Sequence, residues 1–346
     1  MHEATVITVG GCRGPVGKSL LAAQLAWSLA NVRRRVALVD LDLAGANLHR
    51  LVGAAPPRAT NVSLVSRTAG ALGSLSETPH CNLLLIPGGQ PALSRVTLNP
   101  SVRTQLAEQL RSLPVEVVVV DVGAGVGYDP VDLLELGHRR LVVSSCEPSA
   151  VQDAYALFKA AVRRLIHRHL EPAGQLGLLE PGLRTWEGER MSHVLGRVQR
   201  IDPALHEALT RDLANFGGAL LGTQVMDIGH IGALQALSAL AAEYLGVTVP
   251  LLGWLPNGAR LPDLATAPFD NLAPDGAEAQ ALRAMAEALL RPSPSSAGSE
   301  PERRRPMVYV RPPRRRLREA PAASEAQSGR RPRIRLPGMP PRRDRS

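Results

Sequence analysis

A glycine-rich turn that ends in Gly-Lys-Ser is the stretch of this 346-residue chain whose residue types best predict chemistry. It runs from Gly10 to Ser19, between the β-branched run Thr5–Val9 and the Ala/Leu-rich run Leu20–Ala30. The first run predicts a buried strand, and the second, which is longer and lacks Gly and Pro, predicts a helix. Backbone N–H groups and the dipole at a helix start attract anions, so this strand, turn and helix predict a phosphate-binding loop.

Two side chains of this loop have separate expected roles. Lys18 can reach the outer phosphates of a nucleotide, and Ser19 is placed to coordinate Mg²⁺. The chain has two lysines beside 38 arginines, which favours a chemical role for Lys18. The loop departs from the usual pattern, because Cys12 stands where a glycine is common and Pro15 lacks a backbone donor. The alternative interpretation is a glycine-rich helix start that binds no ligand.

Acidic residues end two further predicted strands. Asp40 ends the run VALVD, and Asp42 follows two residues later, so both can point to the same side. Asp121 ends the run VEVVVVD and is followed by Gly123 and Gly125. Ligands bind at the carboxyl ends of parallel strands, where carboxylates can hold magnesium-bound water and orient an attacking water. The alternative for Asp40 and Asp42 is a turn with capping aspartates.

Predicted strands and helices alternate along the rest of the chain. The strands are Asn82–Pro87, Val115–Val122, Arg140–Ser145, Ala219–Val225 and Val249–Leu255, and the helices are Val102–Leu113, Ala150–His169, Ile231–Tyr244 and Ala277–Leu290. This alternation predicts an α/β fold with one doubly wound, mostly parallel sheet. We expect one domain over residues 1–291, in which residues 171–215 form a partly helical insertion or lid.

The helix predicted over Ala150–His169 has two local features. Ser149 is the expected N-terminal cap. Its last two turns contain five basic side chains: Arg163, Arg164, His167, Arg168 and His169. We expect a solvated helix end there rather than a metal site, because His-x-His on a helix directs the two rings to different faces.

Composition excludes several classes of protein. No run of eighteen apolar residues is present, so we expect no transmembrane segment. The amino terminus lacks the features of a signal peptide. The three cysteines are far apart and form no C-x-x-C pair, which argues against a disulfide framework, a zinc site or an iron–sulfur site. A cytoplasmic protein fits these features, with peripheral attachment to a membrane or the nucleoid left open.

The basic charge of the chain is concentrated in its last residues. From Pro292 to Ser346 there are fifteen arginines against five acidic residues, so the preceding part is close to neutral. This tail is rich in Pro, Arg, Ser and Ala and is predicted to be disordered. It can be a solubilising segment without a partner, or it can bind nucleic acid, anionic lipid or an acidic protein through its positive charge.

Four motifs, taken in their order along the chain, resemble those of the MinD/ParA ATPases, and most closely those of the FlhG-like branch. They are the phosphate loop, DLDLAGANLH from Asp40, DVGAG from Asp121 and CEPSAVQDAY from Cys146. The likeness extends from about Thr5 to Leu290 and leaves out the tail. It implies a P-loop fold that uses ATP and Mg²⁺, dimerises with ATP, engages a protein partner and positions flagellar, polarity or chromosome-type cargo.

The resemblance also implies roles for individual residues. Lys18 would contact phosphate and Asp42 would orient the attacking water. The residues implied to lie at the Mg²⁺ site are Ser19, Asp40 and Asp121. The implied nucleotide contacts along the loop and helix start are Gly14, Pro15, Val16, Gly17, Lys18, Ser19 and Leu20.

Several positions differ from the family pattern. Arg13 stands at the signature lysine that reaches the partner's phosphates in the dimer, and arginine is not equivalent to lysine there. Thr223 stands at the adenine-reading asparagine, and Pro256 is followed by Asn257 instead of an acidic residue. We therefore expect nucleotide binding with slow hydrolysis. The alternative is a degenerate pseudo-ATPase scaffold that binds a partner without turnover.

Overall fold

Eight described strands form one sheet, and seven of them are parallel. They are β1 (Thr5–Gly11), β2 (Val36–Asp40), β3 (Ser76–Glu77), β4 (Leu83–Ile86), β5 (Val117–Ala124), β6 (Arg139–Ser145), β7 (Gly218–Val225) and β8 (Leu251–Pro256). Their order is β3-β4-β2-β5-β1-β6-β7-β8, and β3 is antiparallel to β4. The predicted mostly parallel α/β sheet is confirmed.

The computed structural model describes residues 3–11, 16–42, 45–55, 76–78, 80–88, 100–125, 128–171, 190–257 and 277–291. All of them belong to one compact unit. Cys12, Arg13, Gly14 and Pro15 of the phosphate loop and the tail 292–346 lie outside these residues, so the predictions made for them stay predictions.

Helices cover both faces of the sheet. They are α1 (Lys18–Asn31), α2 (Leu48–Leu51), α3 (Pro100–Arg111), α4 (Tyr128–Leu134), α5 (Pro148–Leu170), α6 (Met191–Ile201), α7 (Pro203–Ala214), α8 (Ile231–Leu245) and α9 (Ala277–Leu290). One buried apolar cluster contains residues of α1, α2 and α9, and a second contains residues of α3 to α8. Side chains alternate along a strand, so Val6 of β1 joins the second cluster and Ile7 the first. The doubly wound arrangement follows from this division.

The described part of residues 171–215 is helical, as predicted. Apolar residues of α6 and α7 are buried in the same cluster as α5 and α8, so this segment packs onto the domain. The cap prediction for α5 is wrong, because the helix begins at Pro148 and its N-cap residue is Glu147. Proline suits the first helical position, where its missing N–H would have no partner within the helix.

No helix among the described residues is long and apolar enough to span a membrane.

Candidate nucleotide site

The start of α1 places Lys18 against the end of β1. Gly17 precedes the helix with φ +82°, a left-handed conformation that favours glycine. Lys18 is buried, and its aliphatic chain lies beside Gly11, where an added Cβ would be 3.0 Å from Lys18 Cδ. The same Cβ would be 2.7 Å from the backbone oxygen of Val143, so a glycine is required at residue 11. The ammonium group is therefore carried to the edge of the sheet where the loop begins.

Asp121 lies within reach of α1 and is almost completely buried. The Ser19 hydroxyl donates a hydrogen bond to its carboxylate, and the Gly123 backbone N–H donates to Oδ1 at 3.1 Å. Asp121 Oδ2 is buried and has no hydrogen-bond partner among the described residues. Leaving a buried carboxylate oxygen unpaired costs free energy, so this atom is well suited to accept a ligand. A hydroxyl and a carboxylate are oxygen ligands of the kind that Mg²⁺ prefers, and they fit such an ion.

Burial raises the pKa of Asp121 above its ordinary value, and the charge of Asp42 adds to this effect. The hydrogen bonds from Ser19 and Gly123 and the charge of Lys18 lower the pKa and oppose it. A divalent cation at this carboxylate would favour the ionised form further.

Asp40 is buried beside Asp121 in the register of the parallel pair β2–β5. Its Oδ1 accepts the Asp42 backbone N–H at 3.1 Å, and its Oδ2 accepts the Leu48 backbone N–H at 3.0 Å. Burial raises the pKa of Asp40 to about 7, with a further increase from Asp121, although both N–H groups oppose this. These contacts join the two ends of the loop that carries Asp42. They support a positioning role, and direct binding of Mg²⁺ by Asp40 stays a prediction.

Asp42 lies half-buried on that loop. Its Oδ1 accepts the Gly45 backbone N–H at 3.2 Å, and its carboxylate lies against Gly123 of β5. The Leu41 backbone N–H donates to the Asp121 backbone oxygen at 2.8 Å, which holds the start of the loop beside β5. The two acidic side chains Asp42 and Asp121 are thereby brought to the same edge of the sheet.

Thr223 makes a contact that its sequence position does not indicate. It is buried near the end of β7, and its hydroxyl donates to the Val16 backbone oxygen at 2.9 Å. Thr223 therefore ties β7 to the phosphate loop. Pro256 ends β8, and the Asn257 backbone N–H donates to the Val225 backbone oxygen at 2.9 Å. Base contacts from Thr223 and Pro256 stay predictions.

The structure brings five predicted residues together: Lys18, Ser19, Asp40, Asp42 and Asp121. Leu20 is partly exposed in the first turn of α1. No group of three or more His, Cys, Asp or Glu side chains in the described ranges is arranged to hold a metal ion alone. Mg²⁺ is usually bound through one or two protein carboxylates together with substrate phosphates.

The sequence prediction placed Gly11 and Gly123 in the site motifs, but it missed that they and Gly88 lie against the side chains of the site. Gly11 contacts Lys18, Gly88 contacts Asp40, and Gly123 contacts Asp42. The available signal was a glycine at or just beyond the end of each predicted strand, where a backbone can be approached closely.

Comparison with known proteins shows which P-loop proteins the amino-terminal half of this chain is similar to. The ParA family model, described as NUBPL iron-transfer P-loop NTPase, matches residues 3–163. Antiactivator FleN of Pseudomonas aeruginosa is 34% identical over 161 residues, which cover 46% of this chain and 57% of FleN. Flagellum site-determining protein YlxH of Helicobacter pylori is 29% identical over 155 residues, covering 44% of this chain and 52% of YlxH. Over residues 3–163 this chain is similar to the ParA family of P-loop NTPases.

Solved structures show the same fold over most of the chain. MinD of Pyrococcus horikoshii complexed with Mg-ADP has a TM-score of 0.53 and 17% identity, covering 83% of this chain and 96% of that one. The MinC:MinD complex of Aquifex aeolicus gives a TM-score of 0.54 and 17% identity, covering 87% and 99%. The chain spans a little over half the length of the two curated relatives named above.

The iron-transfer description of the family model has no counterpart in the described cysteines. Cys81 precedes β4 and Cys146 follows β6, and both are free thiols. These strands belong to the parallel part of the sheet, so the two cysteines lie at opposite edges and cannot form a ligand pair.

Proposed function

We propose that this chain binds ATP with Mg²⁺ at the site formed by Lys18, Ser19, Asp42 and Asp121. We further propose that it acts as a slow, nucleotide-switched ATPase that dimerises with ATP. The observation that carries the proposal is the buried Asp121 Oδ2, which lies near Ser19 and Lys18 and has no hydrogen-bond partner among the residues that the structure describes. A magnesium-bound nucleotide would satisfy this oxygen and compensate the charge of the neighbouring carboxylates.

Each residue has a defined task in this proposal. Lys18 and the backbone N–H groups at the start of α1 hold the phosphates. Ser19 and Asp121 hold the magnesium ion, which when bound supplies positive charge at the phosphate oxygens. Asp42 orients the attacking water, and Asp40 holds the loop that carries Asp42. Arg13 would reach the phosphates of the partner in an ATP-bound dimer.

The names of the relatives support a role in spatial positioning or regulation. FleN is named an antiactivator, YlxH a flagellum site-determining protein, and MinD a septum site-determining protein. One MinD structure is a complex with MinC. We extend these roles to this chain as flagellar, polarity or chromosome-type positioning through a protein partner, in the cytoplasm or at the periphery of a membrane or nucleoid.

The second candidate is a pseudo-ATPase scaffold that keeps the fold and binds a partner without turnover. It is favoured by Arg13 and Pro15 in the loop and by Thr223, whose hydroxyl donates a hydrogen bond to the Val16 backbone oxygen. A scaffold needs no hydrolysis, so substitutions of this kind would carry no cost in it.

Nucleotide binding is tested by titrating fluorescently labelled ATP with and without Mg²⁺. Lys18→Ala removes a charged donor, which is worth about 1.5–3 kcal/mol, so we expect affinity to fall by about 10-fold to 160-fold. Lys159→Ala in α5 is the matched control, since it removes the other lysine of the chain and should leave affinity unchanged. Equal affinities for the wild type and the Lys18→Ala variant would overturn the proposed site.

Sedimentation with ATP and with ADP, together with phosphate release, separates the two candidates. The ATPase proposal expects an ATP-dependent dimer and a low rate of release that Asp42→Ala lowers further without abolishing it. ATP binding without release and without dimerisation would favour the scaffold.

The tail 292–346 is a separate proposal, as a segment that binds nucleic acid or an anionic surface through its arginines. Deleting the residues after Arg291 should weaken DNA retention, and the loss should shrink as salt is raised. Unchanged retention would end this idea.

A further inference from the structure

The two acidic residues of β2 and its loop each lie against a glycine from a neighbouring strand. β2 lies between β4 and β5 in the sheet. A Cβ added at Gly88, just after β4, would be 2.9 Å from Asp40 Cγ. A Cβ added at Gly123 in β5 would be 2.7 Å from Asp42 Oδ1 and 2.8 Å from Asp42 Cγ. Cβ atoms in proteins do not approach other heavy atoms this closely, so both acidic side chains occupy space that only glycine leaves open.

Gly123 differs from Gly88 because it contacts two acidic residues of the site. Its backbone N–H donates to Asp121 Oδ1 at 3.1 Å, while its Cα faces the carboxylate of Asp42. Gly123 has φ +72°, a left-handed conformation that other residues rarely adopt. In this backbone conformation the amide points to Asp121, and the Asp42 carboxylate occupies the space that a side chain at residue 123 would fill.

We propose that Gly123 is a positioning residue that sets the place of the Asp42 carboxylate relative to Asp121. The proposal rests on the function proposed above, in which Asp42 orients the attacking water. It assigns to Gly123 a role in hydrolysis through Asp42. A side chain at this position would meet Asp42, while the backbone N–H that bonds Asp121 is kept, so nucleotide binding should be little changed.

The consequence of adding a side chain follows from what it would displace. The atoms closest to an added Cβ belong to the end of the Asp42 side chain, which can rotate away, and not to backbone. Rotation would break the hydrogen bond between Asp42 Oδ1 and the Gly45 backbone N–H and move the carboxylate from its place. The fold would be kept, but a displacement on the order of 1 Å at a catalytic group costs about 100-fold in rate.

Gly123→Ala is the test, with Gly246→Ala as the matched control. Gly246 also has a left-handed φ of +66°, and a Cβ there would be 2.9 Å from Met191 Cγ, another side-chain atom. Gly246 caps the carboxyl end of α8, outside the candidate site. Both variants therefore carry similar backbone strain and a similar clash. We expect phosphate release to fall about 100-fold in Gly123→Ala alone, with the Kd for ATP changed by less than about 3-fold.

A double-mutant cycle with Asp42→Ala tests whether Gly123 acts through Asp42. Once the carboxylate is absent, Gly123→Ala should have no further effect on phosphate release, and it should lower the unfolding midpoint less than it does in the wild type. The proposal is overturned if the two substitutions act additively on release. It is also overturned if Gly123→Ala leaves release unchanged or lowers it only as much as Gly246→Ala does.

The same cycle separates this inference from the proposed function. A wild-type protein that binds ATP but releases no phosphate contradicts the proposed hydrolysis. In that case the unfolding midpoints still test the contact between Gly123 and Asp42, because they can be measured in a protein that does not hydrolyse ATP. Non-additive midpoints support the contact between Gly123 and Asp42, and additive midpoints overturn it.

Discussion

The buried Asp40 carboxylate should make the nucleotide-free protein less stable as the pH rises. Its pKa is raised from 3.8 to about 7 by burial, and the unfolded chain keeps the lower value. Below about pH 4 both states hold the proton, and the group carries no penalty. Above this pH the unfolded state releases its proton first, so the free energy of unfolding falls until Asp40 also ionises in the folded state.

The size of this effect follows from the difference between the two pKa values. A change from 3.8 to about 7 corresponds to about 4 kcal/mol in total. About 3 kcal/mol of this should be lost between about pH 5 and about pH 8. Burial also raises the pKa of Asp121 and Glu135, so both groups likewise lower the free energy of unfolding as the pH rises above their ordinary pKa values.

Asp40→Asn isolates the contribution of this residue, because asparagine has the same size and does not titrate. Urea unfolding of both proteins, followed by tryptophan fluorescence without nucleotide or Mg²⁺, gives the free energy of unfolding at each pH. We expect the loss between about pH 5 and about pH 8 to be smaller in Asp40→Asn by about 3 kcal/mol. The same pH dependence in both proteins would refute the reasoning, whatever their absolute stabilities.

Three further substitutions test contacts elsewhere in the domain. Asp132→Ala removes a buried carboxylate paired with two arginines and should cost about 3–5 kcal/mol of unfolding free energy, measured with denaturant. Glu207→Ala breaks an exposed ion pair in α7 and should cost less than about 1 kcal/mol, so equal losses would contradict the difference in burial. Thr223→Val removes the hydrogen bond to Val16, which should cost about 1 kcal/mol and weaken ATP binding, and unchanged affinity would argue against Thr223 as a support of the loop.

Elements with strong local patterns could be predicted from the sequence. The structure confirms the strand Val36–Asp40 and the helix Ala277–Leu290 at their predicted bounds. Composition and periodicity are local properties, so they are sufficient for elements of this kind. The meeting of Asp40 and Asp121 at one edge was also predictable, because parallel strands direct their carboxyl ends to the same side.

The basic end of α5 shows where local patterns fail. We expected solvated side chains, but Arg164 makes two hydrogen bonds to the buried Asp132, at 2.7 and 2.8 Å, and Arg168 pairs with the buried Glu135. Both acidic residues belong to α4 and its end, more than thirty positions earlier in the chain. A helical pattern predicts which residues share a face, but it contains no information about a partner on another helix.

The sequence by itself determined which groups are available at the nucleotide site: an ammonium, a hydroxyl and three carboxylates at the ends of neighbouring strands. The tertiary structure decided which of their atoms are already bound. Both carboxylate oxygens of Asp40 accept hydrogen bonds from loop N–H groups, and one oxygen of Asp121 has no partner among the described residues. The Thr223 hydroxyl donates a hydrogen bond to the phosphate loop. Hydrogen bonds depend on distances of about 3 Å between atoms that are up to 207 positions apart in this chain, and such distances exist only after folding.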